Sequence, residues 1–397
     1  MKKLLMATAL TAVTATGAFA AGHSEEIKLG IILGFTGPIE SLTPPMAAGA
    51  ELAMQEATES GLLLGGATVT PVRADSTCID SAAATTAAER LITSDGVKGI
   101  MGADCSGVTG AILSNVAVPN GIVMISPSAT SPALSQAEDN GLFFRTAPSD
   151  ARQGQVMTDV LIEQGVTEVA LTYTNNDYGK GLADSFQSAF EAAGGIVTIS
   201  AAHEDGKADY TAEVAALASA GGERLVVAGY VDQGGNGIVR AALDTGAFDT
   251  FHFPDGMMGQ GLEENFGTEI EGSTGQQPGT DSPGAERFIE LVGDAFDPTS
   301  TFTPESYDAA ALILLAMQAA ESSDPSVYKN NVMDVANAPG EQIFPGELAK
   351  ALQILADGGE IDYVGATAVE LLGAGESAGN FREVVFKDGK MTTVKYR

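Results

Sequence analysis

From Ile27 onward, short apolar runs rich in β-branched residues alternate with longer stretches of helical periodicity. Residues 27–34 read as a strand, 44–59 as a helix, 67–74 as a strand, and 81–94 as an Ala-rich helix ending near Gly96. Residues 97–101, 106–116 and 122–125 continue as strand, helix and strand. A chain that alternates in this way builds a parallel sheet with helices on both faces. The alternation restarts after Ser149. Residues 168–173, 196–201, 224–228 and 250–253 read as strands, and 179–193, 210–220 and 234–245 as helices. Two consecutive series predict two similar α/β lobes, each a doubly wound parallel sheet.

The Gly- and Pro-rich segment 272–284 breaks the second series. Helical stretches follow at 285–296, 304–322 and 346–357. Two short strands, 383–386 and 392–396, flank Asp388-Gly389, a hairpin signal. The expected organisation is two lobes joined by a hinge of three crossings, near 145–149, 272–279 and 363–366. Lobe 1 is then 27–146 plus 280–363, and lobe 2 is 147–279 plus 364–397.

Ahead of these lobes, Lys2 and Lys3 precede an apolar stretch from Leu4 to Gly17, and Ala18-Phe19-Ala20 has the small-x-small form of a cleavage site. This reads as a secretory signal cleaved after about Ala20, which places the protein in the periplasm. The apolar run is short and diluted by four threonines, unlike a membrane anchor. About 377 residues remain, enough for two cores at 44% hydrophobic residues. Cleavage takes two lysines and no acid from a chain of net charge −32, leaving −34. Such a surface repels nucleic acid and anionic membranes.

Enzyme chemistry finds little support. The chain has three histidines, His23, His203 and His252, and no nucleophile elbow or phosphate loop. Gly259-Gln260-Gly261 begins like a dinucleotide fingerprint, but Glu264 stands where the third glycine belongs. No Cys/His cluster has zinc spacing, and no metal or cofactor is implied. His252, at a strand end, reads as structural. Cys78 and Cys105 are an even pair in an exported chain, which permits a disulfide. Two separate buried thiols remain the alternative.

Ligands of open α/β sheets bind beyond the carboxyl ends of the strands. In the first series those ends carry small hydroxyls beside helix starts, Ser106 among them. In the second they carry Tyr178, Tyr230 and Asp255. A helix start favours a carboxylate, and a carboxylate with phenols suits an ammonium. The division fits a zwitterion held between lobes. Taken singly, Ser106 is also an ordinary N-cap, the tyrosines ordinary half-buried aromatics, and Asp255-Gly256 an ordinary turn.

Several motifs in order then carry a resemblance. They are residues 27–30 with Phe35-Thr36-Gly37-Pro38, Cys78 with Cys105-Ser106, and Ile125-Ser126-Pro127-Ser128-Ala129-Thr130-Ser131-Pro132. Phe144-Arg145-Thr146, Asn176-Asp177-Tyr178-Gly179-Lys180-Gly181, Gly229-Tyr230 and Ser306-Tyr307-Asp308-Ala309 follow. Over nearly the whole mature chain the sequence resembles the leucine/isoleucine/valine-binding proteins of ABC importers, with the type I periplasmic binding protein fold. The resemblance implies a Cys78–Cys105 disulfide. It implies that Ser106 and Thr130, with backbone from Ser128 and Ala129, hold an α-carboxylate. Tyr178, Tyr230 and Asp255 would hold the α-ammonium, Asp255 standing where many relatives have Glu. Relatives often place an aromatic where this chain has Leu42. Leu42, with Phe35 and Met257, would form an apolar side-chain wall. The implied function is a monomeric binding protein that captures an aliphatic amino acid by hinge closure and delivers it to a membrane permease. Binding of another small polar solute, such as an amide or urea, and ligand sensing for a receptor are the alternatives.

Overall fold

The computed structural model describes residues 25–397, so the expected leader and its cleavage site lie outside the described residues. The chain forms two seven-stranded sheets with one strand order. In the first, Glu26–Leu33 lies between Thr68–Asp75 and Ile100–Gly102, followed by Met124–Ser126 and Phe143–Pro148, all parallel. In the second, Glu168–Thr174 lies between Ile196–His203 and Arg224–Ala228, followed by Phe251–Phe253 and Thr274–Pro278. The central strands read as near-continuous apolar runs because helices bury both of their faces. The helix Thr303–Ala319 is apolar around its circumference and buried along nearly its whole length. It runs against Thr43–Ser60 and under the first sheet, as an all-round apolar helix must.

Two stretches read as crossings are strands. Phe143–Pro148 and Thr274–Pro278 are buried at every residue. Their polar side chains, Arg145, Gln276 and Gln277, hid them from a search for apolar runs. The chain therefore leaves the first lobe after Pro148 and re-enters it after Pro278.

The third crossing needs a larger correction. Residues 364–397 were expected to return as a block to the second lobe. Instead Leu371–Leu372 and Glu376–Ser377 extend the first sheet, Glu376–Ser377 pairing with Phe143–Pro148. Phe381–Lys387 then joins the second sheet antiparallel to Thr274–Pro278, and Lys390–Tyr396 pairs antiparallel to it at the edge. The crossing thus falls between Ser377 and Phe381, where the Gly279 N–H donates to the Asn380 carbonyl at 3.1 Å. The expected position fails because Asp308 holds that segment in the first lobe. Its buried carboxylate accepts from Tyr363 Oη (2.8 Å), the Ala366 N–H (2.8 Å) and Thr367 N–H and Oγ1 (2.9 and 2.7 Å).

Cys78 and Cys105 are bonded, at a sequence separation of 27. The bond ties the loop after Thr68–Asp75 to the start of the helix Ser106–Ile112. In the chain-entropy model, closing that loop stabilises the fold by about 3–4 kcal/mol. Replacing both cysteines with serine should lower the unfolding free energy by about that amount in urea. Superimposable unfolding curves would contradict this.

Candidate functional site: a cleft between the two lobes

The loops at the carboxyl ends of both sheets face each other across a pocket. Its first-lobe wall starts from Asp104, which is fully buried. Its carboxylate accepts from the Gly34 N–H (2.5 Å), Ser76 Oγ (2.9 Å) and the Cys105 N–H (2.9 Å). Its carbonyl accepts from Ser128 Oγ (3.1 Å). One residue thus fastens three loops, and burial raises its pKa. Cys105 takes the N-cap position, so Ser106 is the first helical residue rather than the cap. Ser106 Oγ accepts from the Ser131 N–H at 3.1 Å, which leaves its own O–H free to donate into the pocket.

Ala129 and Thr130 lie behind this wall rather than along it. The Ala129 N–H is taken by Ser126 Oγ at 2.9 Å. The Thr130 carbonyl accepts from the Asp150 N–H at 2.9 Å. Thr130 Oγ1 is buried near the Asp150 carboxyl without a hydrogen-bond partner among the described residues. Arg145, 1% exposed, sets this turn from below. Its guanidinium donates to the carbonyls of Ala129 (3.0 Å) and Ser131 (2.9 Å) and to Ser135 Oγ (2.7 Å), and it pairs with Glu376.

The second-lobe wall is built on a helix start. Asn176 caps Asp177–Ala192, its side chain accepting from the Gly179 N–H at 3.0 Å. A methyl group on Gly179 would sit 2.1 Å from the Thr174 carbonyl oxygen, so no side chain fits there. That tight turn points Tyr178 inward, where its ring stacks on Tyr230 at 5.1 Å. Tyr178 Oη donates to Asp255 Oδ1 (2.8 Å), which also accepts from the Gly256 N–H (2.7 Å). With the Gln153 amide turned to satisfy its neighbours, it donates to Asp255 Oδ2 (3.2 Å) and Asp150 Oδ1 (3.1 Å). Burial pushes Asp255 up to about 6, against the pull of Tyr178, Gly256 and Gln153. Asp150 beside it is raised well above the carboxylate range by burial and by the Asp255 charge.

Leu42 lines the pocket, together with Ile39 and Phe302. The other two expected wall residues do not. Phe35 is half-buried with the Arg73 guanidinium 5.5 Å above its ring. Met257 turns its sulfur toward Gly235, beneath the helix Gly234–Thr245. Neither placement is visible in strand-end position alone. Phe302 escaped notice because it precedes a helix outside both αβ series, and its φ of +66° turns it inward. His252 is buried away from the pocket, its Nδ1 2.9 Å from Thr274 Oγ1, and burial lowers its pKa to about 3.

The lobes touch beyond the pocket. Asp232 of the second lobe accepts from the Ser41 N–H (2.8 Å), and its own N–H donates to the Pro38 carbonyl (3.0 Å). Thr301 Oγ1 donates to the Met258 carbonyl at 2.5 Å. On the other flank, a methyl on Gly181 would lie 3.0 Å from Pro132 Cδ and 3.1 Å from Ser131 Oγ. A leucine there should hold the lobes apart. Gly181→Leu is expected to weaken ligand binding at least tenfold without lowering the melting temperature of ligand-free protein. Unchanged affinity by calorimetry would mean that this approach of the lobes is not needed.

Fold and site together are those of a two-lobed solute-binding protein. Residues 26–338 match the family model described as periplasmic binding protein, and the chain belongs to that family. It is 31% identical over 322 residues to Leu/Ile/Val-binding protein homolog 3 of Brucella melitensis, covering 79% of this chain and 85% of that one. A leucine-binding protein of Thermotoga maritima superposes with a TM-score of 0.79 at 22% identity, over 93% of this chain and 98% of that one. The branched-chain amino acid substrate-binding protein LivJ of Streptococcus pneumoniae, solved with isoleucine, gives 0.76 at 22% identity, over 94% and 100%. These two likenesses define the type I periplasmic binding fold. Among the described residues there is no metal-ligating cluster, and no helix is long and apolar enough to cross a membrane.

Proposed function

We propose that the cleft captures an aliphatic, branched-chain-type L-amino acid and that the closed protein delivers it to the permease of an ABC importer in the periplasm, acting as a monomer. The observation that carries this reading is the polarity of the pocket. A buried carboxylate, Asp255, braced by Tyr178, faces the Ser106 hydroxyl across a wall of Ile39, Leu42 and Phe302. The ammonium of a zwitterion would meet Asp255 and Tyr230. Its carboxylate would meet Ser106 O–H and the start of the helix Ser106–Ile112, with Thr130 Oγ1 behind. Ser128 Oγ donates to Asp104, so it offers lone pairs rather than a proton, and its role in carboxylate binding rests on its backbone. Each lobe holds one end of the ligand, so the ligand stabilises the closed arrangement selectively. The name of the Brucella melitensis relative supports the branched-chain assignment. The apolar wall supports it over urea or small amides, which carry no aliphatic body.

A thermal-shift screen of refolded, ligand-stripped protein against all amino acids and small amides tests the reading. A ligand at a hundredfold its Kd stabilises by about 2.7 kcal/mol. Leucine, isoleucine or valine should give the largest shift, and an amide giving it would overturn the assignment. The pH dependence is a second test. Ammonium binding needs Asp255 ionised, and free Asp255 titrates at about 6. Affinity should be level above pH 7 and fall toward tenfold per unit below about pH 6, as binding must first expel a proton. A level profile down to pH 4.5 would contradict a charged partner at this position.

A further inference from the structure

A second cavity, of about 180 Å3, opens beside the crossing at Gly279 and shares no lining residue with the amino-acid pocket. Its lining comes from both lobes: Arg382 and Tyr396 from the second, Phe288 and Glu305 from the first. Two of its polar groups are buried and unsatisfied. Glu305, third residue of the helix Thr303–Ala319, is 2% exposed, and its Oε2 has no partner among the described residues. Arg382, on Phe381–Lys387, has a buried Nε likewise without a partner. Buried polar groups in native proteins are satisfied by protein, water or a bound molecule. Both residues line one cavity, whose remaining walls include Ala285, Phe288 and Ile289.

We infer that this hinge-side cavity is a second ligand site for a small carboxylate with a short apolar body, the head lying between Arg382 and Glu305 and the body against Ala285, Phe288 and Ile289. Burial pushes Glu305 up to about 8, so at neutral pH its carboxyl is largely protonated and donates, as the guanidinium does. A carboxylate head can accept from both. The acids at the rim, Asp281 and Glu286, are exposed, and solvent and salt screen them over about 8 Å. A guanidinium in a partly dry site matches a carboxylate fork better than any neutral head. The inference stands whether or not the cleft takes an amino acid.

Fluorine NMR of the mature protein titrated with 4,4,4-trifluorobutanoate tests it. Saturable binding in the millimolar range is expected. It should weaken at least tenfold for 4,4,4-trifluorobutanamide, and at least tenfold for Arg382→Gln with the carboxylate. Ala285→Phe fills the cavity and should abolish binding while keeping both polar groups, so it decides the matter if Arg382→Gln does not fold. Leucine titrations of the same variants should match wild type within threefold, which separates a failure here from a failure of the cleft reading. No saturable binding to wild type, equal binding of the amide, or binding that survives Ala285→Phe would overturn the inference.

Discussion

Asp255→Ala is expected to weaken amino-acid binding by a hundredfold or more while leaving the ligand-free fold nearly unchanged. Removing one partner of a buried, hydrogen-bonded charge pair costs about 3–5 kcal/mol, because the surviving charge stays desolvated. At about 1.4 kcal/mol per tenfold, that is a factor of roughly 150 to 5,000 in Kd. The fold should tolerate the change because the carboxylate itself is a burden on the ligand-free protein. Burial raises its pKa despite three hydrogen bonds, so ionised Asp255 weakens rather than supports the unliganded state. Stability lost through it grows as pH rises past the unfolded carboxylate value near 3.9, since the native state then holds the extra proton. Tyr178→Phe removes the 2.8 Å bond to Asp255 Oδ1 and a 3.1 Å bond from the Gly256 N–H, which keeps Asp255 Oδ1 as its acceptor, and should cost about tenfold, the value of one hydrogen bond to a charged group. Calorimetry on both variants checks the order. Equal effects would mean that the Tyr178 hydroxyl matters as much as the Asp255 charge in anchoring the ligand.

Arg145→Met should have the opposite signature, a large loss of fold stability, roughly 3–5 kcal/mol. The side chain is 1% exposed and serves two backbone carbonyls, one hydroxyl and one carboxylate. Methionine fills similar space but donates nothing, so the Ala129 carbonyl is left buried and unpaired, and the Ser131 carbonyl keeps only the Leu134 N–H at 3.1 Å. The ion pair with Glu376 also pins the small strand Glu376–Ser377 to Phe143–Pro148. Two pieces of the first lobe therefore loosen together, next to the third crossing. Affinity should fall as well, because Ser131, whose N–H holds Ser106, loses one of the two donors to its carbonyl. Urea unfolding of ligand-free protein measures the main effect, and a loss under about 1 kcal/mol would show the guanidinium to be replaceable.

These residues mark what could and could not be read from the chain. The two αβ series were legible because parallel strands buried on both faces must be apolar, as in Glu26–Leu33 and Arg224–Ala228. The strand-end rule then brought Ser106, Ser128, Tyr178, Tyr230 and Asp255 to one pocket before any contact was known. It failed where burial is polar or strands are very short. Thr274–Pro278 carries two buried glutamines and Leu371–Ser377 is glycine-rich, so neither has an apolar pattern. It also could not say which side of a loop a residue faces. Met257 and Asp255 are two positions apart, yet one packs under a helix and the other lines the cleft. Phe302 joins the pocket through a single left-handed backbone turn, a feature with no signal in composition.

The central claim is that one zwitterion bridges the lobes, and calorimetry with one-ended analogues addresses it most directly. L-leucine, 4-methylpentanoate and L-leucinol share the aliphatic body, the second lacking the ammonium and the third the carboxylate. If the ammonium rests on Asp255 and the carboxylate on Ser106, each analogue leaves one buried polar group unpaired, and each should bind at least a hundredfold more weakly than leucine. Either analogue binding within tenfold of leucine would contradict a site that holds both ends.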